Sequence, residues 1–366
     1  MEHHEQNRQT EPWQESLEAY IREGEPEQAE KSLAWQTAIG LQDVDGLKTS
    51  DYLLETAKAH IDGNIDIATA KRRIDSYYEE QAVRKSIETD AEEADKVSAR
   101  IVEILAERTF QLSPAEFISI HRRLFTGVFP HAGKLRDYNI TKKEWILNGD
   151  TVFYASADSL KATLEYDFNQ EKSFSYAGLS LPDAIHHLTG FISGIWQIHP
   201  FAEGNTRTTA VFAIKYMRAL GFDAKNDLFA QHSWYFRNAL VRANYTNLNT
   251  GVHADPVYLE RFFENLLLGA DHPLKNRFLH IDYQKAIGTM ETSKCQFDTL
   301  DCTLEELALL QAVQRHPDMT QQDLAKEIGK SLRTVKRITV RLQEQGILAR
   351  ENGKRNGRWV VKGDLT

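Results

Sequence analysis

Apolar residues recur every three to four positions through the first part of the chain, and short runs of turn residues interrupt this spacing. Between residues 25 and 78 the interruptions fall at Asp45-Gly46 and at residues 62–64, and Ser50 stands where a side-chain oxygen would cap a new helix. This pattern predicts three helices that form a small helical unit ahead of the main domain. Residues 1–24 are charged and weakly periodic, and they predict a tail or a short helix.

The middle of the chain keeps helical spacing except in one segment. A helix is predicted from about residue 92 to residue 107, and Ser113-Pro114 is typical of the start of another. Within residues 138–156, β-forming residues alternate around Asn148-Gly149-Asp150, which is a strong signal for a hairpin turn. The sequence therefore predicts a β-hairpin inserted into a helical region.

Two apolar helices are predicted on either side of the short polar sequence "HPFAEGNTR", residues 199–207. Residues 185–196 place apolar side chains at spacings of three, four and seven, and residues 211–217 continue this pattern. A further helical block is predicted over residues 233–268, followed by a connection. The polar sequence is thus expected to be a short loop between two buried helices, and we refer to it as the polar loop.

The C-terminal residues 303–366 have a pattern of their own. A helix over residues 303–314 is followed by two amphipathic helices that meet at Gly329, and then by two short apolar runs on either side of the basic turn "NGKRNG". This order resembles a winged helix-turn-helix domain. The exposed face of the second amphipathic helix and the basic turn are predicted to contact DNA through Arg333, Thr334, Lys336, Arg337, Lys354 and Arg355.

The charge distribution supports this division of the chain. The net charge is −9 at pH 7, which argues against nucleic-acid binding by the whole surface. Residues 303–366, however, contain 12 basic and 8 acidic residues, whereas the rest contains 32 and 45. The C-terminal segment is therefore the part suited to contact DNA, and a protein-interaction module with a solvated basic face is the alternative.

Composition indicates a globular protein of two or three domains. The chain has 366 residues, of which 41% are hydrophobic and 10% aromatic, enough for sizeable cores. No apolar run approaches the roughly 20 residues of a membrane span, and the polar start does not resemble a signal peptide. A cytoplasmic protein without membrane contact is expected. The two cysteines, Cys295 and Cys302, are expected to be reduced and structural.

The polar loop contains residue types that bind phosphate and metal ions. The N–H groups of residues 204–208 stand at a helix start, where they have no intrahelical acceptor and can bind phosphate oxygens. Gly204 allows a ligand close to the backbone, and Arg207 can bind a phosphate through two N–H groups. Glu203 is a suitable ligand for Mg²⁺, and His199 is placed to act as a general base. These residues favour transfer of a phosphorus-containing group from a nucleotide to a hydroxyl; the alternative is a polar connection of helix caps and surface pairs.

The polar loop also resembles the signature of the Fic family, His-Pro-Phe-x-Asp/Glu-Gly-Asn-Gly/Lys-Arg. Eight of its nine positions agree, and the departure is Thr206, where Gly or Lys is usual. The resemblance extends over about residues 85–270 and implies a mainly α fold: a helical core with a β-hairpin flap, here followed by the α/β winged helix.

This resemblance implies an activity and roles for individual residues. The family transfers AMP from ATP to a Ser, Thr or Tyr hydroxyl of a target protein and releases pyrophosphate, and the flap aligns the target by main-chain pairing. The implied roles are His199 as general base, Glu203 as the Mg²⁺ ligand, Phe201 as the core anchor of the loop, Gly204, Asn205 and Thr206 as the anion nest, Arg207 on a nucleotide phosphate, and Arg237 and Asn244 on the base and ribose.

Two departures from the family pattern concern regulation. Many relatives have a second arginine three residues after the first, and a helix with the pattern Ser/Thr-x-x-x-Glu-Gly/Asn whose glutamate pairs with it. Here the first position is Ala210, and the nearest match to the second is "LQDVDG", with Leu41 and Asp45 in place of Ser/Thr and Glu. If Asp45 faces Ala210, no charge pair forms. The surrounding segment otherwise resembles the family's small helical antitoxin, so it is expected to cover the nucleotide site by shape.

The sequence thus predicts a Fic-like protein adenylyltransferase that uses ATP and Mg²⁺ and is restrained by its N-terminal segment, as in a toxin–antitoxin pair. The expected partners are a target protein, or the chain itself, and DNA; a homodimer is compatible with the sequence. The alternatives are a DNA-binding regulator whose core senses nucleotide, and transfer of another nucleotide. The predicted units are a tail at 1–24, the antitoxin-like segment at 25–84, the Fic core at 85–270, a connector at 271–302 and the winged helix at 303–366.

Overall fold

The computed structural model describes residues 12–84, 89–222, 227–283, 304–344, 347–351 and 357–362, and it is mainly helical, as predicted. Cys295 and Cys302 lie outside these residues. The helices are α1 Pro12–Glu23, α2 Pro26–Gly40, α3 Asp51–Ile61, α4 Ile67–Arg84, α5 Thr89–Ala106, α6 Pro114–Phe125, α7 Leu160–Ser173, α8 Leu181–Ile198, α9 Asn205–Ala219, α10 Asp227–Ala243, α11 Val257–Leu268, α12 Leu304–Arg315, α13 Gln321–Glu327 and α14 Leu332–Glu344. Among the described residues, no helix combines the length and apolar character that a bilayer span requires.

The N-terminal helices begin and end where the local sequence predicts. A 3₁₀ turn, Leu41–Asp45, follows α2 directly, and it ends at Gly46, whose φ of 71° favours glycine. Ser50 caps α3, since its hydroxyl accepts a hydrogen bond from the Leu53 N–H. The three predicted helices are confirmed as α2, α3 and α4.

These N-terminal helices pack directly against the core. At Gly40 a Cβ atom would lie 2.4 Å from the carbonyl oxygen of Ala230, so α2 and α10 touch backbone to backbone. Asp95 of α5 is fully buried and accepts hydrogen bonds from the Ser50 N–H at 2.9 Å and the Tyr78 hydroxyl at 2.7 Å. The buried carboxylate therefore ties the start of α3 and the middle of α4 to α5.

Helix α9 lies at the centre of the core. Every residue from Asn205 to Met217 is buried, including Ala210. Phe212 packs against the rings of Phe117 and Phe168, with centroids 5.3 and 5.5 Å apart. Helix α8 is also extensively buried, so the polar loop between α8 and α9 is held at both ends by packed helices.

The predicted β-hairpin is wrong in its strands and right in its turn. Residues 138–156 are all described and contain no strand, although Asn148 and Gly149 have the expected positive φ angles, 57° and 84°. Two backbone carbonyls at the base of this segment, those of Tyr138 and Ala155, accept hydrogen bonds from the guanidinium of Arg136. The side chain thus bridges the two arms in place of a strand ladder. We refer to residues 138–156 as the flap.

The C-terminal unit is a winged helix. After α14, strand β1 (Leu348–Glu351) pairs antiparallel with β2 (Arg358–Val361), with Leu348 opposite Val361. Trp359 anchors the strands, because its buried indole donates to the carbonyl of Met319 at 2.9 Å. The predicted wing residues Lys354 and Arg355 lie outside the described residues.

Candidate active site

His199 is a buried, neutral histidine with one unused nitrogen. It caps the C-terminus of α8 in the left-handed conformation, with φ 50°, and its side chain is almost fully buried. Nδ1 lies 3.2 Å from the carbonyl oxygen of Trp196. A carbonyl can only accept, so Nδ1 carries the proton and Nε2 keeps its lone pair. Nε2 is buried and makes no hydrogen bond to any described residue.

The surroundings of His199 keep the imidazole unprotonated. Burial lowers the pKa of His199 well below its ordinary value, and the positive charges of Lys142, Arg136 and Arg237 lower it further. The ring of Tyr154, from the flap, covers the imidazole with centroids 4.3 Å apart. The site therefore presents a neutral base in a water-poor, positively charged setting.

Three residues of the polar loop build its shape. The Asn205 side chain accepts from the Phe201 N–H at 3.0 Å and donates to the Phe201 carbonyl at 2.7 Å. Phe201 is fully buried, as predicted for a core anchor. Gly204 has φ 75°, and a Cβ there would lie 2.4 Å from the Phe125 ring. Only glycine fits this position, where the backbone turns into α9.

His121 of α6 contacts the polar loop through a hydrogen bond and a ring stack. Its Nδ1 accepts a hydrogen bond from the Gly133 N–H at 2.8 Å, so its Nε2 donates to the Glu203 carbonyl at 3.0 Å. Its ring stacks on Phe201 with centroids 3.7 Å apart. Burial lowers its pKa to about 4, so the ring remains neutral near pH 7. Sequence reasoning missed this residue, and its position on the apolar face of α6 is the only local signal.

Arg136 connects the polar loop to the flap. Its backbone N–H donates to the Pro200 carbonyl at 2.9 Å, and its Nε donates to the His199 carbonyl at 2.8 Å. The rest of the guanidinium binds the flap carbonyls of Tyr138 and Ala155. The flap and the backbone of His199 are therefore held by one side chain, which sequence reasoning also missed.

Thr206, the departure from the family signature, has a specific partner. Its hydroxyl accepts a hydrogen bond from the Trp196 indole N–H at 3.1 Å, and both side chains are buried. Glycine has no side chain and lysine has no acceptor, so neither usual residue could make this contact. The hydroxyl joins α9 to the last turn of α8 beside His199.

Glu203 is the most accessible charged group of the loop. Its side chain is 57% exposed, and its carboxylate lies 3.2 Å from the ammonium of Lys142 in the flap. Groups of three or more His, Cys, Asp or Glu able to hold a metal ion are absent from the described residues. A single carboxylate nevertheless fits Mg²⁺, which commonly takes one or two carboxylates together with substrate phosphates.

Arg207 is held by three groups from outside the loop. Its guanidinium donates to the Gln42 amide oxygen at 2.9 Å and to the Glu93 carboxylate at 2.6 Å, and its Nε lies 2.7 Å from the Asp45 carboxylate. The Arg207 side chain is only 2% exposed. We call Gln42, Asp45 and Glu93 the arginine clamp.

The arginine clamp corrects the prediction that Asp45 meets an alanine and makes no charge pair. The 3₁₀ turn brings Asp45 to the first turn of α9, where it pairs with Arg207, while Ala210 lies fully buried one turn further along. Leu41, the other predicted regulatory residue, is also fully buried and anchors this turn. Gln42 and Glu93 carry no sequence signal of this role.

Comparison with known proteins finds two matching family models and one similar solved structure. A family model described as "Fic/DOC family" matches residues 111–217, which include the polar loop. This part of the chain is therefore similar to proteins of that family. A second model, "Winged helix-turn-helix DNA-binding", matches residues 306–349. A crystal structure of a Fic family protein from Desulfovibrio desulfuricans G20 is similar at 13% identity and TM-score 0.44, covering 97% of this chain and 98% of that one. No curated protein matches.

The two remaining residues predicted to contact the nucleotide have structural partners. Arg237 binds the buried carboxylate of Glu144 through two hydrogen bonds of 2.7 and 3.1 Å, which ties the flap to α10. Asn244 donates to the carbonyls of Ser193 and Leu240 and so joins α10 to α8. Their contacts to a base and a ribose stay predictions.

The winged helix exposes the face predicted to contact DNA. Arg333, Lys336 and Arg337 are exposed on α14, opposite its buried stripe. Thr334 is half-buried, and its hydroxyl lies 2.9 Å from that of Ser331 at the helix start. Arg333, Lys336 and Arg337 therefore point away from the core of this domain.

Proposed function

We propose that the chain is a protein adenylyltransferase, which transfers AMP from ATP to a Ser, Thr or Tyr hydroxyl of a target protein or of the chain itself. The observation that carries this proposal is the state of His199, whose Nδ1 proton is held by a carbonyl while Nε2 is free to accept. Nε2 takes the proton of the acceptor hydroxyl as its oxygen attacks the α-phosphorus of ATP. The bond between the α-phosphorus and the oxygen that bridges to the β-phosphate breaks, and pyrophosphate leaves.

The start of α9 supports nucleotide binding. Gly204 is the N-cap, so the N–H groups of Asn205, Thr206 and Arg207 have no acceptor within the helix and can bind phosphate oxygens. Glu203 would hold Mg²⁺, which supplies charge neutralisation between the phosphates when it is bound. The polar loop thus contains both the buried base, His199, and the N–H groups that can bind phosphate.

We also infer that the arginine clamp restrains the enzyme. Arg207 cannot bind a phosphate while its terminal N–H groups donate to Gln42 and Glu93 and its charge is paired with Asp45. The donor nucleotide must displace at least part of this clamp, and Asp45 is its most exposed member, with 36% of its side chain accessible. The restraint acts on the arginine of the signature itself.

The winged helix would add a DNA partner to this enzyme. Its exposed basic helix face suits phosphate and base-edge contacts. We assign the units to residues 25–84, 85–270 and 303–366, with a connector between the last two. An enzyme that uses ATP and binds DNA would work in the cytoplasm.

Mass spectrometry of the chain and of likely targets, incubated with Mg²⁺ and ATP, GTP or UTP, tests the proposed activity. We expect an AMP adduct on a hydroxyl side chain, and no adduct with His199→Ala, because the acceptor then loses its base. Adducts that persist in His199→Ala, or that arise from GTP or UTP but not from ATP, would refute protein adenylylation by this route.

The second candidate is a DNA-binding regulator whose Fic core senses nucleotide without transferring it. The arginine clamp favours this candidate, because it occupies the cation that would otherwise orient phosphates. The same measurement separates the two: a sensor yields no adduct even with the native His199, and its His199→Ala variant still binds nucleotide and DNA.

A further inference from the structure

Three arginines surround the polar loop, and each is already engaged. Arg136 donates to backbone carbonyls, among them those of His199 and Tyr138. Arg237 is bound through both terminal nitrogens to a buried carboxylate. Arg207 is held by the arginine clamp. None of these guanidiniums can meet an incoming phosphate without first breaking a buried contact.

Lys142 is different, because its partner is exposed. Its ammonium lies 3.2 Å from the carboxylate of Glu203, and 31% of the Lys142 side chain and 57% of the Glu203 side chain are accessible. Exposed ion pairs of this kind contribute little to stability, because solvent screens the two charges. Among the described cations around His199, Lys142 is therefore the one that can change partner at little cost.

The flap holds Lys142 in a defined position. The Lys142 N–H donates to the Thr151 hydroxyl at 3.3 Å, and two residues later the Glu144 N–H donates to the Asp150 carbonyl at 2.9 Å. The bidentate contact with Arg237 then fixes Glu144 to α10. Lys142 thus stands on a loop that is braced on both arms.

Lys142 also lies near two groups expected to take part in the reaction, His199 and Glu203. Among the nearby charges, its ammonium lowers the pKa of His199 the most. It also contacts the carboxylate that is expected to hold Mg²⁺. Glu203 directly precedes the N-cap of α9, so the ammonium already contacts the residue next to the N–H groups that would bind a phosphate.

We propose that Lys142 is a nucleotide-binding residue, whose ammonium leaves Glu203 and contacts a phosphate oxygen of the donor nucleotide. This assignment rests on the proposed function. The negative charge of a triphosphate replaces that of Glu203, while the carboxylate becomes free for Mg²⁺. The flap, in addition to covering His199, thereby supplies the mobile cation of the site.

Equilibrium binding of α,β-methylene-ATP and of adenosine, each with Mg²⁺, tests this proposal on the full-length chain. The variants are Lys142→Met, Lys142→Arg and the control Lys143→Met, which removes the same charge from the exposed neighbouring residue. A charged hydrogen bond is worth about 1.5–3 kcal/mol, so Lys142→Met should bind the triphosphate analogue at least about tenfold more weakly. Lys142→Arg and Lys143→Met should bind it within about threefold of the wild type, and adenosine affinity should not change.

The outcomes separate this assignment from the proposed function. If the wild type binds the triphosphate analogue and Lys142→Met binds it equally well, Lys142 does not contact phosphate. Equal losses in Lys142→Met and Lys143→Met, or an equal loss for adenosine, would also overturn the assignment. If the wild type binds no triphosphate analogue at all, the proposed function fails, and the assignment fails with it.

Discussion

At the scale of single residues, the arginine and the backbone of the polar loop are held by partners that lie far away in sequence. Arg207 is bound by Gln42 and Glu93, and the Glu203 backbone is bound by His121. These partners fix the geometry of the loop before any ligand binds. The backbone of the loop is therefore preorganised, and Arg207 is restrained.

The loop residues themselves could be identified from sequence, whereas their partners could not. His199, Glu203, Gly204 and Arg207 stand together in nine residues with the chemistry of a phosphate site. A contact such as Arg207 with Gln42 joins residues 165 positions apart. No periodicity or local motif encodes that distance, because it depends on how α2, α5 and α9 pack.

Thr206 offers a residue-scale prediction. We expect Thr206→Val to lower the free energy of unfolding by about 1–3 kcal/mol, because the buried Trp196 indole N–H loses its acceptor. The same change in a Trp196→Phe background should cost much less, since no donor is left unpaired. Urea unfolding of the four proteins of this double-mutant cycle gives the coupling energy. Equal costs in both backgrounds would show that the hydrogen bond does not stabilise the fold.

At the scale of elements, helices were predictable because their signals are local. Ser50 and Ser113 cap α3 and α6 as expected, and apolar spacing gave α8 and α9. The conformation of the flap was not predictable, because Arg136 and the Glu144–Arg237 pair determine its path. Residues that favour strands can form an irregular loop when side chains satisfy the backbone groups that a ladder would use.

The exposed face of α14 is the element for which DNA binding is predicted. Arg333→Ala and Lys336→Ala should each weaken binding to a duplex pool and reduce the slope of log K against log salt by about 1, because each removes a phosphate contact. Lys161→Ala, which removes an 82% exposed charge from α7, is the control and should leave the slope unchanged. Fluorescence anisotropy over a salt series measures these slopes. Unchanged slopes for both α14 variants would favour the protein-interaction alternative.

At the scale of the whole molecule, the N-terminal helices α2, α3 and α4 pack directly against α5 and α10. Gly40 touches α10, and Asp95 binds residues of α3 and α4. Removing residues 1–84 would therefore expose apolar faces of α5 and α10 in addition to removing the Gln42 and Asp45 contacts of Arg207. A substitution within the arginine clamp tests the restraint without disturbing this packing.

The most direct test is the rate of AMP incorporation from labelled ATP, in the presence of Mg²⁺ and host extract, by Asp45→Asn. Asp45 is partly exposed, so its replacement removes one of the three clamp contacts of Arg207 at small cost to the fold. Loss of a charged contact of ordinary strength should raise the rate of Asp45→Asn about tenfold above that of the wild type.

Glu55→Gln, which alters an exposed carboxylate of α3, should match the wild type, and Asp45→Asn combined with His199→Ala should incorporate no label. An Asp45→Asn rate equal to that of Glu55→Gln, or label that persists without His199, would contradict the claim that the chain transfers AMP with His199 as the base and under the restraint of the arginine clamp.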